Sequence, residues 1–226
     1  MGKDVQKELT GKEFMKSMLG GERDFLGIKL TQPDLTSDKA LYEKFTSYLR
    51  ERTTEFKQNP VVINNASLSY MVAPNISLPY VKGSGVHLYG AECANGTFTG
   101  GTFEGAHFEL GNFVGTNFEN AYLCRSNLKG AYFSGAILRR ASLGEAHLCR
   151  TNFGPADFRG ADLEKTDFCG SDLWGADFRG VSNLQQALFL DEAFFGDLKV
   201  TKIEEQIFKK ALLEGRFKVI EEYPQG

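Results

Sequence analysis

Large apolar residues recur at every fifth position along the middle of this chain. From Phe98 to Phe178, seventeen successive positions of this frame carry ten Phe and seven Leu. A helix repeats its buried face every ~3.6 residues and a strand every second residue, so neither element alone explains the spacing. A fixed period over such a length is typical of a repeat architecture, in which each unit buries its apolar face against its neighbours.

A second column, two residues before each Phe or Leu, holds only small side chains. It runs from Gly96 to Ala176 and contains Gly, Ala, Ser or Thr at every position. Residues two apart on an extended segment point to the same side, so both columns can face the interior. The second position after the Phe or Leu is often Gly, as at Gly100, Gly130 and Gly160, which suits tight turns. The sequence therefore predicts a filled coil of short strands and corners.

The repeated motif resembles that of the pentapeptide-repeat proteins. The segments ADFRG, ADLEK, SNLKG and TNFEN follow the pattern A-(D/N)-(L/F)-x-x, and the frame extends less regularly back to Ile63. The resemblance implies an all-β solenoid, a right-handed quadrilateral β-helix in which four pentapeptides make one coil. The twenty-four pentads from Ile63 to Phe178 would then form six coils. At the ~4.8 Å spacing of stacked strands this is a rod roughly 29 Å long.

The flanks of the repeats are predicted to be helical. We expect residues 1–60 to form an N-terminal helical cap with a short first pentapeptide segment and a helical insertion. Apolar residues at helical spacing within residues 39–58 predict that insertion, with Ser37 or Asp38 as its N-cap. Residues 61–180 are the pentapeptide-repeat β-helix, and residues 181–226 a C-terminal helical cap. Caps are expected because open solenoid ends expose unpaired strand edges.

Composition and the search for targeting signals bear on the cellular location of the protein. The 226 residues carry a formal net charge of −3, and no apolar run approaches the ~18 residues of a membrane helix. The N-terminus lacks the apolar core of a signal peptide, and four cysteines provide no disulfide framework. We therefore expect a cytoplasmic protein that does not contact membranes.

No motif for catalysis stands out in the sequence. A phosphate-binding glycine loop and the common zinc spacings are both missing. Asp157 and Asp162 are members of a column directly before each Phe or Leu, which points outward or bonds local backbone, so repeat geometry explains their regularity. We expect a protein that is not an enzyme and has no cofactor. Its predicted function is protein binding or scaffolding, with an unknown protein partner and with homodimerisation through the C-terminal cap as one option.

The alternative function is interaction with DNA gyrase or another topoisomerase by imitation of DNA, as in some relatives that protect gyrase. Residues 61–180 contain eleven acidic and nine basic residues, a net charge of −2. Duplex DNA carries one charge every ~1.7 Å, so this segment is far less acidic than a DNA mimic requires. Direct binding of nucleic acid is not expected either.

One candidate interaction surface consists of arginines and the only tryptophan. If four pentads make a coil, residues twenty apart stack, and an arginine column results. This column can contact a negatively charged partner or pair with Asp157 and Asp177 beside it. The tryptophan lies in an outward position, where it can anchor a partner or be covered by Phe194 or Phe195 of the C-terminal segment. The surface comprises Trp174, Arg139, Arg140, Arg159 and Arg179.

A second cluster contains histidine and cysteine. His87, His107 and His147 fall in one column, and Cys149 and Cys169 lie two residues along the same face. A quartet of His147, Cys149, Asp167 and Cys169 has the ligand types of a zinc site. The other interpretation is an exposed ladder without a metal, and the sequence leaves the two open.

Overall fold

The computed structural model describes residues 6–213 and 218–219. Its centre is a solenoid of parallel coils in which residues twenty positions apart are paired, as Val62 is with Lys82 and Asp157 with Asp177. Each strand is reduced to a single bridged residue, directly before the buried Phe or Leu. Four pentapeptides therefore make one coil, as the resemblance implies.

The two columns of the sequence form the interior of the solenoid. Every Phe or Leu of the frame from Phe98 to Phe178 is at most 2% exposed. Rings on successive coils stack, and the centroids of Phe98 and Phe118 lie 5.3 Å apart. Hydroxyls of the small column also bond the backbone, since Thr151 Oγ1 donates to the carbonyl of Leu128 at 2.7 Å. The interior is therefore filled, and its buried hydroxyls have partners.

The corners of the coils are turned by residues with positive φ. Glycine fills many of these positions, but larger residues occupy others, including Leu110 (φ 56°), Arg140 (54°) and Glu145 (59°). A left-handed conformation costs a residue with a Cβ about 1–2 kcal/mol. Hydrogen bonds to the next coil offset this cost, and the Leu110 N–H donates to the carbonyl of Lys129 at 3.1 Å.

The solenoid begins before the regular repeats. Strand β1 (Glu8–Thr10) pairs in parallel with β2 (Lys29–Thr31), and helix α1 (Gly11–Leu19) lies between them in sequence. Asp24 is bridged to Val62, which joins this first coil to the repeats.

A helical insertion separates the first coil from the second. It contains a 3₁₀ turn (Leu35–Ser37), α2 (Lys39–Glu51) and α3 (Glu55–Gln58). Asp38 caps α2, because its side chain accepts a hydrogen bond from the backbone N–H three residues on. The single helix predicted over residues 39–58 is thus observed as two helices, α2 and α3. The break between them contains Thr53 and Thr54, two residues of low helix propensity.

The insertion packs against the first coils. Phe45 and Leu49 are fully buried, and the Tyr42 hydroxyl donates to the carbonyl of Pro74 at 2.6 Å. The buried guanidinium of Arg23 ties α1, α2 and α3 together, because it donates to Met18 O, Tyr48 Oη and Glu55 Oε1.

The ladder continues past Gly180, although the period changes. The 3₁₀ turns Leu184–Gln186 and Leu190–Glu192 add residues, so the offset between paired residues grows from twenty to twenty-two, as in Asp177 with Lys199. Strand β3 (Phe194–Phe195), helix α4 (Lys202–Leu213) and strand β4 (Lys218–Val219) follow, and β3 pairs with β4 in parallel. Within the described ranges, no helix combines the length and apolar character needed to cross a membrane.

Candidate interaction surfaces

The arginine column forms an alternating ladder with aspartates. Arg139 Nε lies 2.5 Å from Asp157 Oδ2, and Arg159 binds both oxygens of Asp157 at 2.8 and 2.9 Å. Arg179 binds Asp177 in the same two-point manner at 2.6 and 2.9 Å. Arg159 Nε also lies 3.6 Å from Asp177 Oδ2, and this contact connects the Asp157 pairs with the Asp177 pair. Pairing with the neighbouring aspartates, one of the two expectations for this column, is confirmed.

These contacts keep the aspartates of the ladder ionised. Burial alone would raise the pKa of Asp157, but hydrogen bonds from Arg159 and Arg139 outweigh it and hold the pKa at about 2. Hydrogen bonding to Arg179 lowers the pKa of Asp177. Three guanidinium groups against two carboxylates leave a net charge of +1 on the ladder. Whether this column and the exposed Arg140 beside it bind a partner stays a prediction.

Trp174 is half-buried on the adjacent face of the solenoid. Its ring lies so close to Gly196, the residue after β3, that a Cβ there would overlap it. The C-terminal segment therefore covers the ring, although the contact is made at Gly196, while Phe194 remains 37% exposed. The role of Trp174 as a binding anchor stays a prediction.

The structure brings together a surface that the sequence interpretation missed. Four large apolar residues, which we call the corner row, lie on four successive coils at or beside one edge of the solenoid. The Tyr70 ring lies over Gly90, and the Tyr70 and Tyr89 centroids are 5.6 Å apart. Leu110 lies over the glycine of the next coil, beside the last member of the row. The row consists of Tyr70, Tyr89, Leu110 and Tyr132, which are 61%, 38%, 53% and 56% exposed.

Both apolar and charged side chains surround the corner row, and the exposed charged residues include Glu92 and Lys129. The exposed side chain of Val114 extends the apolar surface on the adjacent face. Glu109 is largely buried, and its Oε1 accepts a hydrogen bond from Asn127 at 2.6 Å and lies 3.1 Å from His107 Nδ1. A large residue at a corner position, where glycine is common, was the sequence signal that could have identified Tyr70 and Leu110 of this row.

The histidine column has the register expected from four pentads per coil. The rings of His87 and His107 stack with centroids 4.6 Å apart and an interplanar angle of 11°. Farther along the column, His147 Nδ1 lies 3.9 Å from Asp167 Oδ2.

The two cysteines of this face donate to carboxylates. Cys149 Sγ donates to Asp167 Oδ2 at 3.1 Å, and Cys169 Sγ donates to Glu192 Oε2 at 2.8 Å. Burial and the neighbouring Asp167 raise the pKa of Cys149 to about 12. Across the described residues, no group of three or more His, Cys, Asp or Glu side chains is arranged to hold a metal ion.

Comparison with known proteins identifies the repeats. The model of the pentapeptide repeats family matches residues 103–140, 116–154 and 156–189, with eight copies. A search of curated proteins gives no match.

Two solved structures are similar to this chain. The plasmid-mediated fluoroquinolone resistance protein QnrB1 is 14% identical over 84% of this chain and 82% of its own, with a TM-score of 0.52. A pentapeptide repeat protein from the Arabidopsis thaliana thylakoid lumen is 25% identical over 47% of this chain and 72% of its own, with a TM-score of 0.40. The likeness to QnrB1 shows the fold, a right-handed β-helix solenoid. The family model shows that residues 103–189 of this chain consist of pentapeptide repeats.

Proposed function

We propose that this protein is a non-enzymatic binding module that presents the corner row to a protein partner. The observation that carries the proposal is the exposure of four large apolar side chains on successive coils. Two of these side chains, Tyr70 and Tyr89, are in ring contact, and large exposed apolar patches often mark protein-binding sites. Tyrosine is also among the residues that contribute most to binding when an interface covers them.

The solenoid lowers the cost of binding at this row. Neighbouring coils are joined by backbone hydrogen bonds, including Tyr70 N to Tyr89 O at 2.8 Å and Gly90 N to Glu109 O at 2.9 Å. The backbone that carries the row is thereby held before a partner arrives, so association orders few additional groups. From the coil of Tyr70 to that of Tyr132 the row rises by three coil spacings, about 14 Å. Its partner is expected to offer an apolar surface of similar length.

We also propose that the flanking helices cap a quadrilateral β-helix. At the C-terminal end, the Phe208 ring of α4 lies 5.7 Å from Phe178, and Glu204 accepts a hydrogen bond from the Gly180 N–H at 3.0 Å. At the other end, Phe45 of α2 is fully buried in the same apolar core. Such contacts supply partners for strand edges that would otherwise be open to association. A dimer contact in residues 181–226 stays a prediction.

The charge distribution gives little support to imitation of DNA. QnrB1 is a fluoroquinolone resistance protein, but at this identity the likeness concerns the fold alone. In this chain Asp157 and Asp177 are neutralised by arginines that outnumber them. A DNA mimic needs rows of uncompensated negative charge, so the alternative function is the weaker proposal.

Affinity capture from the host lysate tests the proposed function. The intact protein is compared with a Tyr89→Ser, Leu110→Ser variant, and bound proteins are identified by mass spectrometry. The control is a Tyr122→Ser, Leu26→Ser variant, which removes a tyrosine and a leucine that are 42% and 61% exposed elsewhere. We expect one partner to be lost with the row variant and kept with the control. Equal recovery of all bound proteins by the three forms would contradict the proposal.

A further inference from the structure

Two thiols occupy the same position on successive coils of the histidine face. The Arg150 N–H donates to the carbonyl of Cys169 at 2.7 Å, and the Leu148 N–H donates to Asp167 O at 2.8 Å, so the two strands are in register at this point. The thiols of Cys149 and Cys169 lie close enough for each to affect the ionisation of the other. Both are free and partly accessible to solvent.

We propose that Cys149 and Cys169 form a binding site for a thiophilic monovalent cation, of which Cu(I) is the type. Soft thiolate ligands select Cu(I) over harder ions. A two-coordinate ion needs only the two sulfurs, which agrees with the finding that the described residues contain no group of three or more suitable ligands.

The spacing of the coils leaves room for a bridging ion between the two sulfurs. Stacked strands lie ~4.8 Å apart, and two metal–sulfur bonds of ~2.3 Å placed end to end span ~4.6 Å. The same spacing lies within the ~4.4–6.8 Å range of Cα separations found in disulfide bonds, so the experiment has to distinguish the two.

The charged groups around the two thiols suit a bound cation. Asp167 accepts a hydrogen bond from the thiol of Cys149, and Glu192 accepts one from the thiol of Cys169, so a carboxylate lies beside each sulfur. The stem of Arg150 lies over Gly170, where its Cγ is 3.4 Å from the place a Cβ would occupy.

Binding exchanges protons for the ion. Two S–H bonds break, two Cu–S bonds form, and two protons leave to solvent, so one Cu(I) and two thiols give one copper dithiolate with a charge of −1. The ion enters as Cu(I), so no electron is transferred and the site needs no oxidant or reductant.

An anaerobic titration of the full-length protein with Cu(I) tests the site. A chromogenic Cu(I) chelator competes for the ion, and the ultraviolet sulfur-to-copper charge-transfer band reports thiolate ligation. The variants are Cys149→Ser and Cys169→Ser, and Cys124→Ser is the matched control because its thiol is also half-buried but faces Ser142. Circular dichroism verifies that each variant is folded.

We expect one Cu(I) per chain, bound at least 100-fold more weakly by either site variant and unchanged in the Cys124 control. Three results would overturn the proposal. The first is no uptake in competition with the chelator, and the second is equal uptake by the site variants. The third is loss of both thiols with a mass decrease of two hydrogens, which would show a disulfide instead of a bound ion.

Discussion

At the corners of the coils, a large side chain on one coil often lies over a glycine on the next. Tyr80 lies over Gly100 in this way, and a Cβ added to that glycine would meet the ring at 2.8 Å. Glycine at these positions therefore serves two purposes, a positive φ and space for the neighbour. Gly135 serves only to provide the positive φ, because no atom lies within 4 Å of a Cβ added at that position.

A matched pair of substitutions separates the two effects. Gly100 and Gly135 both have φ of 65°, so each change to Ala should cost about 1–2 kcal/mol for the left-handed conformation. Gly100→Ala should cost about 1 kcal/mol more, because the Tyr80 ring must move. Urea denaturation measures both free energies of unfolding. Equal decreases in the free energy of unfolding for the two variants would show that the Tyr80 ring moves without an energetic cost.

The arginine ladder gives a second prediction at the scale of residues. Asp157 has a pKa of about 2 in the folded protein, below the ~3.9 of an unfolded chain. Its contribution is therefore complete above pH ~4 and is lost as the pH falls toward 2. Asp157→Asn should lower the free energy of unfolding by about 1–2 kcal/mol at pH 7. The control is Asp162→Asn, whose carboxylate accepts from backbone and amide groups rather than from a guanidinium.

Denaturation at pH 7 and at pH 2.5 checks this prediction. The difference between the wild type and Asp157→Asn should shrink at the lower pH, and the control should show no comparable change. A difference that is independent of pH would mean that the carboxylate contributes by its shape rather than by its charge.

The interior was predictable residue by residue, whereas the corners were not. Five-residue spacing fixes the buried Phe and Leu columns, because only one side of each short strand can face inward. The column before them was expected to face outward or to bond local backbone, and Asp162 does accept a hydrogen bond from the Glu164 N–H two residues on. Positive φ at Leu110 and Arg140 has no local signal, since hydrogen bonds between coils impose it.

At the scale of elements, the insertion joins the start of the solenoid through a few buried side chains. Apolar spacing and the cap at Asp38 predict α2, because both signals are local. The contacts of Arg23 with three helical segments are not predictable in this way, since they depend on how those segments meet. The same is true of Glu204, which reaches the last regular coil from α4.

Removal of the main apolar contact of α2 should weaken one end of the solenoid only. Phe45→Ala should cost about 3–5 kcal/mol, because the side chain is fully buried. In a repeat protein each coil contacts mainly its neighbours, so the effect should fade along the rod. Amide hydrogen exchange should show lost protection in residues 61–75 and little change in residues 150–175. A uniform loss along the chain would indicate a single cooperative unit.

At the scale of the whole molecule, the protein is a rod whose side chains are held at regular spacing. From Asp24 to Ser182 one column of bridges runs through seven coil steps, which is roughly 34 Å. The function of such a scaffold depends on the side chains exposed on its surface, because the buried core consists of nearly the same residue types in every coil. The aspartates of the ladder are paired with its arginines, whereas the corner row has neither a covering segment nor a charged member among the described residues. The central claim is therefore that this row contacts a partner.

Site-specific photocrosslinking in the native host tests that claim most directly. A photoreactive phenylalanine analogue replaces Leu110 in the corner row or Leu26 in the control, two leucines that are 53% and 61% exposed. We predict a discrete crosslinked adduct with one protein from position 110 and none of that adduct from position 26. The same adducts from both positions, or none from position 110 in cells that carry the intact protein, would contradict the account.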